Sequence, residues 1–166
     1  MNFDSIEAVR AESFLGFLKV RELKDTKCGA VPDAAGVYLV LRDPSLRPTF
    51  IATSKGGHFK GRRPEVSVQE LEDNWVERTA IIYIGKAGGG DSRSTLKRRI
   101  GAYMRFGSGR PVAHWGGRFI WQLADCDDLI VCWQVTDGIE PEARERDLIR
   151  AFSGAYGRRP FANLRD

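Results

Sequence analysis

The sequence predicts a single α/β domain, and three observations carry that expectation. GVYLVLR (36–42) and TAIIYIGKA (79–87) are β-branched and aromatic runs bounded by turn-forming residues, the composition of buried strands. TLKRRIGAYMRF (95–106) and EPEARERDLIRAFSGAY (140–156) instead repeat their apolar residues at helical spacing. The chain has 166 residues, 42% hydrophobic and 29% charged, which suits one core built without disulfides or structural metal.

Taken in order, residues 1–30 read as a helical extension. Ile6, Val9, Phe14, Phe17 and Leu18 supply its apolar positions, and Gly16 weakens the middle, which allows two short helices. Val31-Pro32-Asp33 marks a turn before the first strand, and Asp43-Pro44 ends that strand. Residues 43–79 form an insertion rich in Pro, Gly and charge that becomes helix-like over VQELEDNWV (68–76). The second strand stops at Gly88-Gly89-Gly90, and Ser92 or Ser94 can cap the amphipathic helix that follows. RFIWQLA (118–124) and DLIVCWQV (128–135) read as further strands, and Pro141 suits the first turn of the last helix.

Composition narrows the function classes. No apolar run approaches the roughly 20 residues that cross a bilayer, and the first residues lack a basic segment followed by a hydrophobic one, so a cytoplasmic location is expected. Cys28, Cys126 and Cys132 lack metal-ligand spacing and only His58 and His114 could supplement them, which argues against zinc. The net charge is a modest +4, but eight Lys and Arg side chains lie between Lys86 and Arg118 against Asp91 alone. The rest of the chain is therefore net negative, and such asymmetry suits a polyanion, because bound cations release counterions from its phosphates.

Two side chains break the helical patterns in an informative way. Leu148, Ile149, Phe152 and Tyr156 share one stripe of the last helix, and Glu145 stands at its centre where a hydrophobe is expected. A carboxylate facing the core costs several kcal/mol unless a cation, a metal or hydrogen bonds replace its water. An ion pair with arginine is the structural alternative to a functional role. On the basic helix, Arg98 and Arg105 oppose the apolar stripe of Leu96, Ile100, Tyr103 and Met104, whereas Arg99 leans inward at its edge. A guanidinium there can meet a carboxylate or a phosphate, since its planar fork fits either bidentately.

The residues then resemble a known family. GVY at Gly36–Tyr38, YIG at Tyr83–Gly85 followed by Lys86, LKRR at 96–99, Glu145 before Leu148-Ile149, and Asn163 resemble the GIY-YIG nucleases in type and order. The resemblance implies a central antiparallel three-stranded sheet flanked by helices, and metal-dependent hydrolysis of phosphodiester bonds. It further implies that Tyr38, Tyr83, Lys86, Arg99, Glu145 and Asn163 are the catalytic positions, with Glu145 holding Mg²⁺ or Mn²⁺. The long insertion between the two motif strands and the stretch SGAYGRRP before Asn163 depart from the family pattern.

The expected activity is a DNA endonuclease, with RNA as a further substrate class. A nucleic-acid-binding module without turnover is the alternative, and a protein whose basic helix meets an acidic partner is a third. Lys97, Arg98, Arg105 and Arg110 are candidate phosphate contacts, and His114 with Trp115 a candidate stacking surface for a base. Lys86 would lower the pKa of Tyr83, the favoured general base, if their side chains converged. One site cuts one strand per protomer, so dimerisation is one route to cutting two.

Overall fold

The computed structural model describes residues 1–58, 60–112 and 114–164. Its core is a four-stranded antiparallel sheet in the order β1-β4-β2-β3, formed by β1 (Leu15–Lys19), β2 (Gly36–Leu41), β3 (Ile81–Ala87) and β4 (Ile130–Val135). The helices are α1 (Ile6–Arg10), α2 (Val20–Asp25), α3 (Val68–Asn74), α4 (Leu96–Phe106) and α5 (Pro141–Tyr156), with a 3₁₀ turn at Arg118–Gln122. Among the described residues no helix is long and apolar enough to cross a membrane.

Strand alternation divides the sheet into two dry faces. Val37, Leu39, Leu41 and Ile84 meet Leu148 and Phe152 of α5 on one face, while Tyr38, Val40 and Tyr83 meet Ile100 and Tyr103 of α4 on the other. Burying a side chain such as Leu148 or Phe152 is worth about 1.5–3 kcal/mol, so the apolar stripe of α5 is ample reason for it to dock. Helix α4 buries Leu96, Ile100, Tyr103 and Met104, as its spacing predicts, and Phe106 in addition. Its cap is Thr95, whose side chain accepts from the Arg98 amide, and not Ser92 or Ser94.

Three expectations are corrected. The sheet has four strands, not three, because part of the N-terminal extension expected to be helical forms the edge strand β1. Gly16 and Phe17 both have positive φ there, and the register with β4 slips between Gly16 and Leu18. A Cβ on Gly16 would fall 2.4 Å from the Trp133 ring, so the glycine admits the aromatic that anchors β1. The RFIWQ segment is a 3₁₀ turn and not a strand. Phe119, Ile120, Trp121 and Gln122 are all buried, a run that the alternating faces of a half-exposed strand cannot provide.

That turn also stitches the insertion to the body. Gln122 is fully buried, donates through Nε2 to the Ile51 and Val66 carbonyls, and accepts from the Val66 amide through Oε1. Arg42, 6% exposed, donates to Asp125 at 2.8 Å and to the carbonyls of Leu46 and Arg47. Buried polar groups this fully paired fix a segment, because any broken bond leaves its partner desolvated.

Candidate active site

Two motif glycines explain how the tyrosines come together. Gly85 of β3 pairs with Tyr38 of β2, and a Cβ at Gly85 would lie 2.6 Å from the Tyr38 ring. Tyr38 therefore lies flat over β3 and reaches Tyr83, their rings meeting edge-on at 5.9 Å. Gly36 faces a second close approach, since its Cβ would fall 2.2 Å from the Gln134 carbonyl oxygen. Thus GVY and YIG place their glycines where backbone or ring lies against the chain.

Tyr83, Arg99, Glu145 and Asn163, carried by β3, α4, α5 and the C-terminal segment, line one cleft of about 820 Å³. Tyr38 is fully buried behind Tyr83. Burial pushes the Tyr38 phenol well above its ordinary range and raises that of Tyr83, while the Arg99 guanidinium pulls both the other way. Both tyrosines are accordingly neutral at pH 7.

Glu145 is half-buried, and burial raises its carboxyl above the usual carboxylate range against the pull of Lys86 and Arg99. Among the described residues no cation lies within 4.0 Å of it, the limit for an ion pair: Lys86 pairs with Glu142 at 3.1 Å instead. The structural alternative of a closed ion pair with arginine is thus not what the side chain does. Such a half-desolvated carboxylate, near two cations yet bound to neither, suits a hard divalent ion that keeps several waters and takes further ligands from a substrate phosphate. Among the described residues no group of three or more His, Cys, Asp and Glu is gathered into a metal cage.

Lys86 does not converge with Tyr83. The two are three positions apart on β3, hence on opposite faces, and Lys86 lines a neighbouring hollow with Glu142, Arg146 and Arg150. Glu145 and Ile149 border both hollows. Asn163 has a role of its own: its side chain accepts from the Ile84 amide at 2.9 Å and donates to the Ile84 carbonyl at 2.8 Å. With Ala162 donating to Ile82, it covers the outer edge of β3 as a short strand would.

The expected nucleic-acid contacts divide. Lys97, Arg98, Arg105 and Arg110 are exposed and lie outside the cleft lining. His114 is corrected: it is 1% exposed and stacked on Tyr103, so it offers no face to a base. Trp115 beside it does line the cleft, with Arg118 over its ring at 4.8 Å.

Several cleft residues escape the sequence reading. Glu70 and Asn74 come from α3, which makes the insertion a wall of the cleft, and Arg158 and Arg159 come from the SGAYGRRP stretch. Gly157 ends α5 in the left-handed conformation and turns that stretch back. Arg158 then donates to the Asp73 and Trp75 carbonyls and ties the two walls together. A glycine at a helix end followed by paired arginines is the signal available in sequence. With four arginines against Glu70 and Glu145, the cleft is net positive. No family model, curated protein or solved structure significantly matches this chain.

Proposed function

We propose that the protein is a metal-dependent endonuclease of the GIY-YIG kind that hydrolyses phosphodiester bonds in DNA. The observation that carries this reading is the convergence of Tyr83, Arg99, Glu145 and Asn163, from four separate parts of the chain, on one positively charged cleft.

Each residue has work in that reaction. Glu145 would hold Mg²⁺ or Mn²⁺, and such an ion would supply positive charge and make a nearby water more acidic. Arg99 donates to the non-bridging oxygens as negative charge grows on them, a contribution typically worth a hundredfold or more in rate. Tyr83 accepts a hydrogen bond from the attacking water and aims it at phosphorus. Asn163 acts one step back, holding the edge of β3 and so the seat of Tyr83. Lys86 belongs with Glu145 and not with Tyr83, because it favours the ionised carboxylate. The cations on the outer face of α4, among them Lys97, Arg98 and Arg105, suit flanking backbone phosphates.

The test is cleavage of supercoiled plasmid with Mg²⁺ or Mn²⁺, beside EDTA and the Glu145→Gln and Arg99→Ala variants. Metal-dependent nicking that both substitutions remove is the expected result. A folded protein that binds the plasmid in a salt-dependent way without cutting it would make it a binding module instead.

A further inference from the structure

One buried polar group lies outside the chemistry just described. His114 lies flat on Tyr103, with centroids 4.0 Å apart and 13° between the planes. Each ring nitrogen has its own partner: Nδ1 is 3.0 Å from the Gly116 carbonyl oxygen and Nε2 is 3.2 Å from the Tyr38 hydroxyl. A carbonyl oxygen only accepts, so Nδ1 carries a hydrogen. Burial first, and the Arg99 guanidinium second, draw the imidazole pKa down to about 3 and keep the ring neutral. A neutral ring has a single N–H, so Nε2 is a bare lone pair, and the only hydrogen of the Tyr38 hydroxyl is committed to it.

That assignment propagates to the cleft. Tyr38 also shares a side-chain hydrogen bond with Tyr83, and with its one hydrogen directed at His114 it can only accept in that bond. Tyr83 then donates inward and keeps its own lone pairs for the cleft. Under the opposite tautomer the chain would reverse, and Tyr83 would present a hydrogen where an incoming water must deliver one.

The geometry points to His114 as a positioning residue that, by accepting the Tyr38 hydroxyl hydrogen, sets the direction of a Tyr83 to Tyr38 to His114 hydrogen-bond chain and turns Tyr83 into an acceptor facing the cleft. The catalytic consequence rests on the nuclease reading, whereas the tautomer and the direction of the chain do not. Anchorage adds a second task. Through Gly116 His114 holds the loop that carries Trp115 into the cleft, next to the Tyr103 hydroxyl that donates to the Gly117 carbonyl at 2.6 Å.

Long-range proton–nitrogen NMR of the ¹⁵N-labelled full chain tests this without any activity. There are two histidines, and His58 is exposed, which makes the buried signal easy to assign. The expected result is an Nδ1–H tautomer for His114 that persists from pH 5 to 8, with an Nε2 resonance that moves in Tyr38→Phe. An Nε2–H tautomer, or an Nε2 signal indifferent to Tyr38→Phe, overturns the proposal. In cleavage assays His114→Phe should lower kcat on the order of tenfold to a hundredfold with KM little changed. His114→Gln, whose side-chain carbonyl can accept from Tyr38, should recover part of that loss. Equal losses in the two variants, when both fold normally, would reduce His114 to a packing residue. If the wild type does not cut DNA, the nuclease reading fails while the NMR result still decides the chain.

Discussion

The two sides of strand β3 lie one residue apart and follow opposite chemistry. On the α4 side, Tyr83 sits among Tyr38, Tyr103 and the buried His114, where the tyrosines resist ionisation and the histidine resists protonation. On the α5 side, Lys86 stands half-exposed against Glu142 in a hollow lined mainly by charged side chains. Glu145 borders both hollows. The difference teaches that a contiguous motif need not act as one unit: YIGK spells four neighbours, but the pleat sends its tyrosine and its lysine to separate environments.

The largest break in this comparison should come from the residue shared by both sides. Glu145→Gln should reduce plasmid cleavage at least a hundredfold and Arg99→Ala by about a hundredfold to a thousandfold, whereas Glu142→Gln, on the Lys86 side alone, should stay within a few-fold of wild type. Single-turnover cleavage at saturating metal makes the distinction. Comparable losses for Glu142 and Glu145 would erase the separation of the two hollows.

Glu145 also carries a stability cost whose sign can be worked out. Its folded-state pKa is raised from 4.5 by burial, so the folded protein binds the extra proton and stability falls as pH rises from about 4.5 through the raised value. Glu145→Gln should therefore melt at a higher temperature than wild type at pH 7, and that advantage should vanish below pH 4. A thermal melt that favours the wild type at pH 7 would show that the carboxylate is better compensated than its surroundings indicate.

On the tyrosine side, Gly85→Ala forces a methyl to 2.6 Å from the Tyr38 ring. Overpacking of this kind costs about 1–3 kcal/mol, which a denaturant midpoint resolves, and cleavage should fall with it because Tyr83 moves. On the lysine side, Lys86→Met removes a partly exposed ion pair worth about 0–1 kcal/mol. Its loss also removes a cation that favours ionised Glu145. The acid limb of the cleavage profile should move to higher pH while the alkaline limb stays put, and a shift of the alkaline limb instead would return Lys86 to Tyr83. The smallest effect belongs to Arg98→Ala, which should weaken DNA binding slightly and reduce the salt slope by about one.

Much of this scaffold is legible in the sequence. Strands β2 and β3 and helices α4 and α5 follow from composition and period, and the helical spacing singles out Arg99 and Glu145, which the fold then brings into one cleft. Strand β1 is not legible because its backbone depends on positive φ at Gly16 and Phe17 and on a Trp133 ring far along the chain. The burial of His114 is hidden for a similar reason, since its partners Tyr38 and Tyr103 come from other elements. Lys86 is a different case. Period-two alternation already puts it opposite Tyr83, so the sequence holds the information and an expectation of convergence overrides it. The cleft walls from α3 and from Arg158 depend on long-range contacts, and composition alone leaves the insertion undecided between spacer and wall.

Asn163 has a consequence for how the protein behaves in company. An uncovered outer strand offers its amides and carbonyls to any other chain in extended form, a standing invitation to aggregate. Asn163 occupies both backbone groups of Ile84, and Ala162 takes the carbonyl of Ile82. The segment that walls the cleft thus also covers the β3 edge of the sheet. Asn163→Ala should accordingly be felt first as concentration-dependent self-association, and a worker who followed cleavage alone could mistake that loss of monodisperse protein for a loss of chemistry.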